Sequence, residues 1–78
     1  MPPSSEPPAN LGKAIRQLRE KRGMTQEGLA HEAGSTAATI GAIERGLTNP
    51  SWGTVEGIAD ALGVSVIEVA KVAERLAK

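Results

Sequence analysis

The sequence predicts an all-α domain, and three observations carry that expectation. From Asn10 onward, five segments place apolar residues three and four positions apart, the spacing that gathers them on one helical face. The first four segments stop at Gly23, Gly34, Gly46 and Gly63, and glycine is the commonest helix terminator. No segment alternates apolar and polar residues over the length of a strand, so no sheet is expected.

The first helix spans Leu11 to Lys21, with Asn10 as a capping residue and Leu11, Ala14, Ile15 and Leu18 on one face. The second starts after Thr25 and turns Leu29, Ala30 and Ala33 inward. The third follows Ser35-Thr36 and carries Ile40 and Ile43 as its apolar pair. Leu47 to Pro50 then form a turn, because a proline disfavours helix in the residue before it. The fourth helix starts after Ser51, with Trp52, Val55, Ile58, Ala59 and Leu62 along one stripe, a pattern that assigns the sole aromatic to the core. Ser65 and Glu68 form a capping box that opens the fifth.

Composition narrows the classes. At 78 residues this is one small domain with a modest core. It holds no cysteine, so neither disulfides nor a thiolate-bound metal is expected, and a reducing cytoplasm is the expected setting. No apolar run has the length of a signal peptide core or a membrane span. Residues 1–9, MPPSSEPPA, carry four prolines and read as a disordered arm, leaving 10–78 as the folded domain. Nine basic residues balance nine acidic ones, but residues 1–23 hold five basic against two acidic. One end can face phosphates without the whole molecule adhering to any polyanion.

The second and third helices are the informative pair. Each is too short to persist alone in water, and only Gly34-Ser35 separates them. So short a link forces a steep crossing angle, and glycine supplies the left-handed backbone it needs. Counting Gln26 as the first position, Ala30 is fifth, Gly34 ninth, Ile40 fifteenth and Ile43 eighteenth. The small residue lets the helices approach, and the two isoleucines lock the second against the rest.

The ordered set IRQLREKRGMTQEGLAHEAG, IERGLTNPSW and IADALGVSV resembles the phage Cro and repressor-like helix-turn-helix family, also called XRE, from Leu11 to about Val69. The resemblance implies a compact five-helix, lambda-repressor-like fold with its helix-turn-helix at helices two and three. It further implies a transcriptional regulator, a repressor or controller, that binds double-stranded DNA. On this pattern Gln26 reaches a phosphate or an adjacent base, and Thr36 caps the third helix against the sugar-phosphate backbone. Ala37, Ala38 and Ala42 stand where the family reads base edges, with Thr39 beside them. Arg45, Thr48 and Asn49 form a phosphate-facing loop, and Arg19 and Glu44 match an internal ion pair. The sequence departs from the family at the exposed face of the third helix, Ala37, Ala38, Gly41 and Ala42. No long forked side chain stands there for bidentate base reading, although alanine can touch a thymine methyl.

Other residues read more plainly. Glu44 pairs with Arg19 in preference to any catalytic role, and no nucleophile-base pair, metal cluster or phosphate loop suggests an enzyme or a cofactor. His31 lacks partners at metal-ligand spacing and reads as a surface residue on the outer side of the second helix. Lys13, Arg16, Lys21 and Arg22 form either a solvated face or a phosphate contact. The fifth helix is dense in valine, a mediocre helix former, which points to burial on more than one side. Val66, Val69 and Ala70 are assigned to the domain's own core, and Ile67, Val72, Ala73 and Leu76 to a homodimer interface. The rival function is a protein-interaction or antitoxin-like module that kept the fold with weak DNA reading.

Overall fold

The computed structural model describes residues 10–48 and 50–76. The arm expected at 1–9 lies outside them. Five helices follow in order: α1 (Leu11–Lys21), α2 (Gln26–Ala33), α3 (Ala37–Glu44), α4 (Trp52–Leu62) and α5 (Val66–Leu76), with no strand among the described residues.

Side-chain caps set four of the five starts. The Oγ1 of Thr25 accepts from Gly28 N at 2.9 Å, and that of Thr36 accepts from Thr39 N at 3.1 Å. Ser51 and Ser65 do the same for Thr54 N and Glu68 N, at 3.2 and 3.1 Å. Each satisfies one of the amides left over in a first turn. Asn10 differs from expectation, since its side chain makes no cap bond. At the other end of α2, Gly34 takes φ 69°, and Ser35 N donates back to Ala30 O at 2.8 Å. That closure turns the chain sharply into α3.

The core is aliphatic. Ile15, Leu29, Ile40, Ile58, Leu62 and Val69 are its largest fully buried side chains. α1 packs on α5 and α3, while α2 packs on α3 and α4. A feature unread in the sequence draws α1 against α3. Gly12 is buried, and a Cβ there would collide with the carbonyl oxygen of Ile43 and lie 2.8 Å from that of Glu44.

Two core assignments need correction. Trp52 is 66% exposed. It is the first residue of α4, almost a turn beyond Val55, where the core ends. Helical side chains lean toward the N-terminus, so its ring projects past the packed layer. On α5, Val72 and Ala73 are buried in the domain's own core beside Val69, whereas Ala70 is exposed. At 100° per residue Val66, Val69, Val72, Ala73 and Leu76 share one face, and Ile67 and Ala70 fall on the other. The valine density therefore serves a single face. Ile67, at 68% exposure, is left as the one large apolar side chain on the outer side of α5, and Leu76, at 38%, ends the core-facing side.

Candidate nucleic-acid interface

α3 is held from behind by a polar hub at its last residue. Arg19 Nε donates to Glu44 Oε2 at 2.7 Å and Arg19 Nη2 to Glu44 Oε1 at 3.1 Å, a bidentate pair whose side chains are only 11% and 3% exposed. Arg19 Nη1 donates to Met24 O at 2.7 Å, so one guanidinium ties α1, the link into α2, and α3 together. The hydrogen bond to Glu44, ahead of the opposing cost of burial, raises the Arg19 pKa above its ordinary value.

Gln26 also belongs to this hub. Its Nε2 donates to Glu44 Oε1 at 3.1 Å, and the residue is half-buried. The signal was present but ambiguous, because the first position of a helix gives no indication of which way a long amide folds.

The outward side of the pair is sparse. Ala38 and Thr39 are exposed, Ala37 and Ala42 are half-buried, and Gly41 is buried beneath Gln26, not part of an open face. Gln26, Ala37, Ala38, Gly41 and Arg45 line an open recess between α2 and α3. The hydroxyl of Thr36 is already spent locally, accepting from Thr39 N and donating to Thr39 Oγ1 at 2.9 Å. That leaves the Thr39 hydroxyl as the free donor of the two. Arg45 is exposed and donates from Nε to Gly41 O at 3.2 Å, which holds the guanidinium over the end of α3. Thr48 is exposed beyond it, and Asn49 lies outside the described residues.

The basic residues of α1 and of its C-cap are divided among other tasks. Arg22 Nη1 donates to Leu62 O at 2.7 Å, where a cation meets the carbonyl end of α4. No sequence spacing announces that contact. Arg16 pairs with Glu20 at 3.3 Å on the surface, and Lys13 and Lys21 are exposed. His31 is exposed on α2, beside an open groove that Asp60 of α4 also lines. No group of three or more metal-ligating side chains gathers among the described residues.

Two short helices joined by a left-handed turn, the second locked from behind and bare in front, define a helix-turn-helix protein. The chain belongs to the helix-turn-helix domain family, whose pattern matches residues 10–72, and it is a DNA-binding transcriptional regulator of the Cro/repressor-like group. It is 41% identical over 59 residues to the uncharacterized helix-turn-helix-type regulator YazB of Bacillus subtilis, an alignment covering 76% of this chain and 86% of that one. The restriction-modification controller protein C.AhdI of Aeromonas hydrophila superposes with a TM-score of 0.77 at 33% identity, over 78% of this chain and 88% of that one. The clp gene regulator ClgR of Corynebacterium glutamicum gives a TM-score of 0.86 at 29% identity, over 94% and 97%.

Proposed function

We propose that this chain is a sequence-recognising repressor or controller of the cytoplasm, acting as a homodimer that sets α3 of each subunit into the major groove of a half-site. The observation that carries the reading is the division of α3. Ile40, Ile43 and Glu44 are buried behind it, while Ala38 and Thr39 face outward beside the Arg45 guanidinium. A helix so held can enter a groove without disturbing the core, and a cation at its end can meet a phosphate. Similarity to a restriction-modification controller supports regulation by site occupancy, which blocks a promoter or places the protein beside polymerase. The homodimer draws support from Ile67, the large apolar side chain left exposed on the outer side of α5, which a second copy can cover.

A mobility-shift assay on the DNA upstream of the chain's own gene tests the reading. Binding that prefers that DNA over scrambled duplex, and that weakens in Arg45→Ala without loss of folding, is the expected result. Binding with no sequence preference would favour the protein-interaction module, for which exposed Leu47 and Trp52 would be the contact surface.

A further inference from the structure

We infer that residues 2–8, PPSSEPP, fold back over Leu47 and Trp52 and set Glu6 against Arg45 until DNA displaces them. This regulation presupposes the reading of α3 as the groove-facing helix and acts on that same site.

Leu47 and Trp52 are 70% and 66% exposed, one at each end of the connection from α3 to α4. A helical side chain leans toward the N-terminus, so the Trp52 ring inclines back over that connection. Two large apolar side chains on one short stretch, unlike scattered single ones, mark a contact surface. Neither lies on α5, where the proposed dimer contact is.

The occupant follows from where residues 1–9 join the fold. Gly12 touches the end of α3, since a Cβ there would lie 2.8 Å from Glu44 O. Asn10 stands less than a turn before Gly12. Leu47 stands less than a turn after Glu44, its N–H bonded to Ala42 O at 2.9 Å. The chain therefore enters α1 beside the surface it would cover. Residues 2–8 in a polyproline II conformation span roughly 22 Å. The backbone from Leu47 to Trp52 covers at most about 18 Å, so the segment is long enough to cross both side chains.

The chemistry matches the reach. Proline-rich segments dock on exposed aromatic rings because their extended form is already ordered and needs no ladder partner. Glu6 separates the two proline pairs and is the one charged side chain of residues 1–9. Arg45 is exposed, and no acidic residue follows it before Glu56. A carboxylate brought to that guanidinium takes the place of a phosphate oxygen, and DNA must displace it. Because the contact is within one chain, a weak attraction is enough to populate it.

Two full-length variants test this: Pro2→Ser, Pro3→Ser, Pro7→Ser and Pro8→Ser combined, and Glu6→Gln alone. A contact occupied about two-thirds of the time leaves about one-third of the molecules competent for DNA. The proline variant should therefore bind a duplex selected from a random-sequence pool about threefold more tightly than wild type. With one face of the ring covered in that fraction of wild type, acrylamide should quench Trp52 of the variant roughly one and a half times as strongly. Glu6→Gln should move both readouts the same way and less far, whereas a charge effect on DNA alone would leave the neutral quencher unmoved. Wild-type quenching should be the same at every protein concentration. Unchanged quenching in the proline variant would overturn the inference. So would wild-type quenching that falls as the protein is concentrated, which makes a second copy the occupant. Weaker DNA binding without the prolines would also overturn it, by placing residues 2–8 on the DNA. Each of these leaves DNA reading intact if a preferred duplex is selected. A pool that yields no preferred duplex would overturn both.

Discussion

On its inner side, α3 buries Ile40, Ile43 and Glu44, accepts a bidentate guanidinium, and lies so close to α1 that Gly12 has no room for a side chain. Its outer side carries methyls, one free hydroxyl and a recess whose polar groups come from Gln26 before it and Arg45 after it. One face is specified by many mutually dependent contacts, and the other is almost empty. The difference teaches that placing a recognition helix and equipping it are separate problems, solved here by different residues. Substitutions behind the helix should change stability, and those in front should change binding alone.

The largest effect is expected behind the helix. Arg19→Ala leaves the Glu44 carboxylate buried without its charged partner, and loss of one member of a buried pair costs about 3–5 kcal/mol. That is a large share of a small domain's stability. Chemical denaturation measures it, and a loss below about 1 kcal/mol would place the pair among ordinary surface contacts. Gly12→Ala comes next. Its methyl would force α1 away from the Ile43 and Glu44 carbonyls, with an expected loss of about 2 kcal/mol.

Trp52 gives a sharper contrast, because sequence and structure disagree about it. A core tryptophan replaced by alanine costs about 3–5 kcal/mol. At 66% exposure, Trp52→Ala should cost less than about 0.5 kcal/mol. The fluorescence of this sole tryptophan should be open to acrylamide quenching in the free protein. On α5, Ile67→Glu should leave the protein folded, with a melting temperature that no longer rises with protein concentration. It should also convert a dimer into a monomer by sedimentation equilibrium. A wild-type monomer at tens of micromolar would remove the homodimer from the proposed function.

Much of the fold was legible because its signals are local. Thr25, Thr36, Ser51 and Ser65 cap the helices they precede, and Gly23, Gly34, Gly46 and Gly63 all adopt positive φ. What could not be read depends on partners far along the chain. Arg22 meets Leu62 across forty positions, and Gly12 earns its place only through α3 carbonyls. Trp52 fits the helical stripe, but periodicity does not say where the core ends. On α5 the valine density suggests a second buried side, but Val66, Val69, Val72, Ala73 and Leu76 all sit on one. At the candidate interface, Arg19 and Glu44 could be matched to a known motif. The inward turn of Gln26 could not, since it follows from a carboxylate eighteen positions away.

The salt dependence of binding to a selected duplex, in wild type and in Arg45→Ala, tests the separation of placing from reading most directly. Each phosphate neutralised adds about 0.9 to the slope of log affinity against log salt, so a dimer using Arg45 and one or two further cations per subunit should show a slope of roughly −3 to −6. Arg45→Ala should flatten that slope by about 2 and leave the unfolding midpoint where it was. An unchanged slope in Arg45→Ala, or a flattened one accompanied by loss of stability, would contradict the account.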